Sequence, residues 1–146
     1  MTDKLITKVT TLYERFDPAL IGALDQIYDT DVVFEDPLHR VEGLVALRRY
    51  FSGMVHGLQE CGFTFNHILE QRGHADEPDQ AVLLWTMHYR HPKLKGGQRL
   101  SLEGSSHLQF RERVVYHRDY FDAGAMLYEH IPVLGYVIGK LKARLG

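Results

Sequence analysis

Four long extended segments in the second half of the chain constrain its fold more than any other feature. They cover residues 61–71, 80–91, 99–110 and 113–121, and short turn-like stretches separate them. Short separators favour an antiparallel meander, because tight hairpins can then join consecutive strands. The sequence therefore predicts a sheet built from four consecutive strands.

Helical patterns precede this sheet. Apolar residues recur at helical spacing over residues 3–16, 18–28 and 44–54, and the β-branched and aromatic segment 31–37 predicts a strand that ends in proline. Helices that come before a sheet, rather than alternating with its strands, favour an α+β fold. We expect a cone-shaped α+β barrel in which the N-terminal helices pack on a strongly curved antiparallel sheet and enclose a pocket.

The length of 146 residues fits a single domain over residues 1–146. Residues 1–122 would form the core of the cone. Residues 123–146 return to helical spacing, which predicts a C-terminal helical extension that packs on the sheet or on a partner subunit.

Charge and composition narrow the classes of partner. A net charge of −2 gives no basic excess for phosphates, so we expect no nucleic-acid partner. No apolar run is long enough to span a membrane, and membrane contact is not expected. The single Cys61 suits a reducing compartment, which favours a cytoplasmic location. The nine histidines include no His-x-His or His-x-x-x-His pair, so we expect no metal. No Gly-rich phosphate-binding loop follows a strand, and we expect no cofactor.

Side chains alternate between the two faces of a strand, so one face of each strand should point into the cone. In the two strands before the last, the more apolar set is the predicted inner one: it includes Ser106 and Leu108 in residues 99–110, and Trp85 and Met87 in residues 80–91. In the last strand, His117, Asp119 and Phe121 share one face, and alternation alone does not say whether that face is the inner one.

Two short motifs resemble those of the nuclear transport factor 2-like superfamily, which includes SnoaL-like proteins, ketosteroid isomerases and limonene epoxide hydrolases. The segment 32-VVFEDP-37 is similar to a short isomerase strand that ends in Glu-Asp-Pro. The segment 118-RDYFD-122 is similar to the last strand of the epoxide hydrolases. The resemblance extends over residues 3 to about 122 and implies the same cone fold.

The resemblance also implies roles for individual residues. Asp36 falls where the isomerases keep the aspartate that removes a proton next to a carbonyl, and Tyr13 falls near their oxyanion-donating tyrosine. Asp119 falls where epoxide hydrolases keep an aspartate base, and Phe121 corresponds to an aromatic wall. Two features depart from these relatives: Ser106 replaces the isomerases' second oxyanion donor, and residues 84–90 lack the hydrolases' Arg-x-Asp pair.

The residues themselves leave alternatives open. A carboxylate in an apolar pocket can act as a general base, because desolvation disfavours its charged form. Asp36 could instead cap the turn before Pro37, and Asp119 could form an ion pair with a neighbouring arginine. His117 could orient Asp119 or serve only the structure, and Tyr13 could belong to the core.

These observations predict a cofactor-independent acid–base enzyme of the isomerase, cyclase or hydrolase type that acts on a small apolar molecule. The alternative is a non-catalytic module of the same fold that binds a hydrophobic ligand or has a regulatory role. We also expect a homodimer that pairs through the sheet. The predicted catalytic residues are Asp36, Asp119, His117 and Tyr13, and the predicted ligand contacts are Trp85, Met87, Ser106, Leu108, Phe121 and Phe34.

Overall fold

The computed structural model describes residues 3–125, 141 and 143–145. Its helices are α1 (Lys4–Tyr13), α2 (Pro18–Ala23) and α3 (Leu44–Gly57), with 3-10 turns at Leu24–Gln26 and Lys95–Gly97. Its strands are β1 (Tyr28–Glu35), β2 (Arg40–Glu42), β3 (Glu60–Gln71), β4 (Asp79–Arg90), β5 (Leu100–Phe110) and β6 (Val114–Phe121). Most of the predicted extension over residues 123–146 lies outside the described residues.

The strands form one curved sheet in the order β2-β1-β6-β5-β4-β3. Strands β3 to β6 pair antiparallel with their neighbours in sequence, which confirms the predicted meander and the α+β class. The sheet is not closed, because β2 and β3 are its two edges. One pair departs from the antiparallel pattern, since β1 and β6 run parallel. No hairpin joins these two strands, so no turn sets their relative direction.

The predicted helix over residues 18–28 was too long, and the predicted strand began too late. Helix α2 ends at Ala23, and Tyr28 already pairs with Val114 in β6. The backbone carbonyl of Ile27 accepts a hydrogen bond of 2.8 Å from the Val114 amide. Sheet pairing thus overrides the helical pattern of apolar residues here. The three-residue strand β2 was not predicted, because its Arg-Val-Glu sequence is too short to show a period.

The inward faces of the last three strands were predicted correctly. Trp85, Ser106 and His117 are all buried, with exposed fractions of only 3%, 4% and 3%. Leu84 and Tyr120 lie on the opposite face and are exposed. A homodimer through this outer face stays a prediction that size-exclusion chromatography can test. In the described ranges, no helix combines the length and apolar character needed to cross a membrane.

The connection between α1 and α2 packs directly on the edge strand β3. The Phe16 amide donates a 2.9 Å hydrogen bond to the Cys61 carbonyl. Next to it, a Cβ atom on Gly62 would lie 2.4 Å from the backbone oxygen of Glu14, so only glycine permits this close approach. The contact covers part of an otherwise open sheet edge and fixes α1 over the concave face.

This contact also shields the only thiol. Burial, with a smaller contribution from the Glu60 carboxylate, raises the pKa of Cys61 to about 12. Thiolate is the reactive form, so we expect iodoacetamide to modify Cys61 slowly at neutral pH and rapidly in urea. The pKa of the thiol in the unfolded chain is about 8.5. The stability that the buried, protonated thiol contributes is therefore fully present below that pH, and it is lost as the pH rises towards about 12. Equal alkylation rates with and without urea would contradict this prediction.

Candidate active site

An apolar cavity of about 240 Å³ lies between α1, α3 and the concave face of the sheet. It exceeds the roughly 150 Å³ of an engineered cavity that holds benzene, so a molecule of one or two rings can fit. Nine of the predicted site residues line it: Tyr13, Phe34, Asp36, Trp85, Met87, Ser106, His117, Asp119 and Phe121. Leu108 is not among the lining residues; it is wholly buried in the core.

Asp119 is held in place by a direct cross-strand partner. The register of β5 and β6 sets Ser106 opposite Asp119, and the Ser106 hydroxyl donates a 2.5 Å hydrogen bond to Oδ1 of Asp119. The indole Nε1–H of Trp85 donates to the Ser106 oxygen at 2.8 Å. Trp85 is therefore more than a wall of the cavity, because it fixes the direction in which the Ser106 hydroxyl donates.

His117 holds the same carboxylate oxygen from the other side. It lies two residues before Asp119 on the same strand face, and its Nε2 is 2.6 Å from Oδ1 of Asp119. Its Nδ1 is 2.7 Å from the Tyr28 hydroxyl, which in turn bonds to the Tyr13 hydroxyl. These contacts fit a neutral histidine in which Nε2–H donates to Asp119 and Nδ1 accepts from Tyr28.

We call this continuous chain of six side chains the buried relay: Tyr13, Tyr28, His117, Asp119, Ser106 and Trp85. Burial is the main cause that raises the pKa values of Tyr13 and Tyr28 well above the ordinary tyrosine value, so both keep their protons. Across the described residues, the hydrogen bonds to Asp119 all reach Oδ1, and none reaches Oδ2. The relay therefore leaves Oδ2 as its open acceptor.

Asp36 organises a second polar cluster on the cavity wall. Its Oδ1 accepts the backbone amides of Leu38 and His39, each at 2.8 Å, and its Oδ2 accepts the Tyr50 hydroxyl. Nδ1 of His39 lies 2.9 Å from the same hydroxyl, and the His39 side chain is 52% exposed against 6% for Asp36. The structure thus bears out the turn-capping interpretation of Asp36, and both of its oxygens are engaged.

The two aspartates directly follow paired residues of two adjacent strands. In the parallel pair of β1 and β6, Phe34 is opposite His117 and Glu35 is opposite Arg118. Asp36 follows Glu35, and Asp119 follows Arg118. Burial is the main cause that raises the pKa of Tyr50, followed by its bond to Asp36, and the charge of Asp119 also contributes. The structure therefore brings both predicted carboxylates to one cavity.

Tyr28 and Tyr50 make hydrogen bonds at the candidate site that the sequence analysis did not predict. Both fall at apolar positions of the predicted helices, although a buried tyrosine hydroxyl normally needs a partner. A tyrosine hydroxyl at a predicted core position was the feature of the sequence that could have indicated these hydrogen bonds.

Within residues 84–90, four side chains do not line the cavity: Leu84, Thr86, His88 and Arg90. The described ranges contain no group of three His, Cys, Asp or Glu side chains that could hold a metal ion.

Replacing Tyr28 with phenylalanine should show the contribution of the relay to stability. The change leaves Nδ1 of His117 and the Tyr13 hydroxyl without their buried partner, and we expect it to lower the unfolding free energy by about 1–3 kcal/mol. Urea denaturation measures this. The matched control is Tyr120→Phe, on an exposed residue, for which we expect a change within about 0.5 kcal/mol. Equal stability of the two variants would contradict the assigned relay.

The open curved sheet, the helices over its concave face and the cavity between them define a protein of the nuclear transport factor 2-like cone-fold class. Within that class the chain belongs to the SnoaL-like domain family, whose profile matches residues 9–117. No curated protein sequence matches the chain significantly.

Solved structures share this fold at low sequence identity. A putative SnoaL-like polyketide cyclase from Shewanella putrefaciens is 15% identical, with a TM-score of 0.68, and the match covers 86% of this chain and 95% of that one. AclR, a putative hydroxylase from Streptomyces galilaeus, is 20% identical with a TM-score of 0.64 and coverages of 90% and 93%. TerC, co-crystallised with polyporic acid, is 16% identical with a TM-score of 0.66 and coverages of 85% and 95%.

Proposed function

We propose that this protein is a cofactor-independent acid–base enzyme that removes a proton from carbon next to a carbonyl group of a small apolar molecule. One observation carries the proposal. Oδ1 of Asp119 is held by Ser106 and His117, while Oδ2 accepts no hydrogen bond from the described residues, and Asp119 lines a cavity with mostly apolar walls. A carboxylate that is fixed in direction and shielded from water is suited to act as a general base.

The proton transfer places specific demands on the site. When Oδ2 of Asp119 takes the proton, the C–H electron pair passes to the substrate as an enolate. The protonated Asp119 can return its proton to a different carbon of the enolate, which is an isomerisation and restores the base. Alternatively, the enolate carbon attacks a second carbonyl of the same molecule. That attack forms a carbon–carbon bond and an alkoxide, which takes the proton back from Asp119; this is a cyclisation and also restores the base.

The similar structures support the cyclisation type more than hydrolysis. Two neighbours, from Shewanella putrefaciens and Shewanella denitrificans, are described as putative SnoaL-like polyketide cyclases. Hydrolysis has less support, because the Arg-x-Asp pair is missing from residues 84–90. A non-catalytic ligand-binding module is the second candidate, and the full engagement of both Asp36 oxygens favours it.

The neutral bicyclic probe 5-nitrobenzisoxazole tests the proposal without knowledge of the natural substrate. A base removes its ring C–H proton, the C–H electrons form a nitrile as the N–O bond breaks, and a coloured phenolate is released. We expect saturable ring opening, faster than in acetate at the same pH and concentration, that 2-naphthol inhibits competitively. A rate no faster than that in acetate would contradict the proposed base and would favour the binding module.

A further inference from the structure

We propose that the cavity accepts neutral and cationic ring molecules and rejects those that carry a carboxylate or another anion. This inference rests on the cavity being the ligand site of the proposed function, but it does not require turnover. It follows from the charges that line the cavity and from where the nearby arginines point.

The acidic side chains of the cavity are Asp36 and Asp119. Among the residues that the structure describes, no lysine or arginine lines the cavity. The other titratable residues that line the cavity are Tyr13, Tyr50, Tyr89, His91 and His117. The tyrosines are neutral when protonated, so the net charge of the described lining depends on the two aspartates and the two histidines.

Neither histidine reverses the negative sign. Nδ1 of His91 accepts the backbone amide of Lys93 at 3.0 Å, which fits a neutral ring. His117 is bonded to Asp119, so a proton on its Nδ1 would at most balance that one carboxylate and would leave Asp36. Both protonation states of His117 therefore leave a negative net charge on the part of the lining that the structure describes.

Four arginines in and beside the sheet pair with acidic side chains outside the cavity. Arg40 and Arg118 both contact Glu35, whose carboxylate also accepts the Tyr116 hydroxyl at 2.7 Å. Arg90 and Arg99 both pair with Glu60, at 2.8 Å and 3.4 Å. None of these four arginines lines the cavity. The protein thus offers an incoming anion no positive partner in the described part of the site.

Apolar walls strengthen this selection. Like charges a few ångströms apart repel far more strongly in such surroundings than in water, and we expect an anion to bind at least about 100-fold more weakly than its neutral counterpart. A cation meets the opposite situation, because two carboxylates and the faces of aromatic side chains attract it. Tyr13, Phe34, Phe51, Phe63 and Trp85 supply these faces.

A series of ligands on one ring system tests the inference: methyl 2-naphthoate is neutral, 2-naphthoate is an anion and 2-naphthylmethylammonium is a cation. The ester and the acid share the same ring and carbonyl group, so their comparison needs no variant. We expect calorimetry at neutral pH to show binding of the ester and the ammonium ion, with 2-naphthoate at least about 100-fold weaker. Binding of 2-naphthoate as tightly as the ester, or no binding of either neutral or cationic ligand, would overturn the inference.

The double variant Asp36→Asn, Asp119→Asn tests whether these two carboxylates cause the charge selection. We expect it to bind 2-naphthoate more tightly than the natural protein does and the ammonium ion more weakly. Unchanged relative affinities of the three ligands would overturn the assignment to these carboxylates. If the double variant does not fold, the two single variants are measured in the same way. Charge selection without ring opening of 5-nitrobenzisoxazole would leave this inference standing and contradict the proposed function. Ring opening without charge selection would do the reverse.

Discussion

Replacing Asp119 with asparagine is expected to lower kcat/KM for the ring opening of 5-nitrobenzisoxazole by about 100- to 10,000-fold, which is the usual contribution of a general base. Asparagine keeps the shape of the side chain, and its carbonyl oxygen can still accept from Ser106 and His117. The amide nitrogen that replaces Oδ2 cannot take up the substrate proton. Steady-state kinetics with the purified variant measure the loss, and circular dichroism verifies that the fold is retained.

Two other aspartates make this prediction specific. Asp31 is exposed on β1 and does not line the cavity, so Asp31→Asn should leave kcat/KM unchanged. Asp36→Asn should have a smaller effect than Asp119→Asn, because both Asp36 oxygens already accept hydrogen bonds from the turn and from Tyr50. A larger loss in Asp36→Asn than in Asp119→Asn would contradict the assignment of Asp119 as the base.

Replacing Gly104 with alanine is expected to destabilise the fold by about 1–3 kcal/mol, as overpacking of a filled core does. A Cβ atom on Gly104 would lie 2.3 Å from the nearest atom of the Trp85 ring, with two more ring atoms at 2.7 Å. The planar indole cannot bend out of the way, so the whole ring must shift away from the new methyl group. That movement should also weaken the Trp85–Ser106 bond and thus the hold on Asp119. Urea denaturation measures the first effect, and ring opening of the probe measures the second.

Gly53 offers a matched control for this substitution. It lies exposed in α3, and a Cβ atom there would meet no other atom within 4 Å. Because alanine favours a helix over glycine, Gly53→Ala should raise the unfolding free energy by up to about 1 kcal/mol. Should Gly104→Ala prove as stable as Gly53→Ala, the close packing of Trp85 on Gly104 would be contradicted.

The sequence was most informative where a period persists over a long segment. The alternation in β4 and β5 predicted which side chains face inward, and the family resemblance indicated the inner face of β6. Trp85, Ser106, His117 and Asp119 do line one cavity. The register between neighbouring strands then determines which inward side chains contact each other, as in the Ser106–Asp119 pair. This part of the site could be predicted because the side-chain period of a strand is fixed by its geometry.

The sequence was least informative where distant parts of the chain meet. Tyr28 looked like the end of a helix, and only its pairing with β6 brings its hydroxyl to His117. The bond between Tyr50 and Asp36 likewise depends on how α3 packs over the sheet. Nothing local in the sequence encodes these contacts, because they depend on tertiary packing that overrides local propensity.

The central claim is that Oδ2 of Asp119 is the working group of a ligand-binding cavity. A crystal structure of the protein with 2-naphthol tests it most directly, because this neutral ligand can donate a hydrogen bond to a carboxylate. We predict that the ring lies among the aromatic side chains between α1, α3 and the sheet, with its hydroxyl within hydrogen-bond distance of Oδ2 of Asp119. Naphthol bound elsewhere, or bound in the cavity with its hydroxyl turned away from Asp119, would contradict the claim.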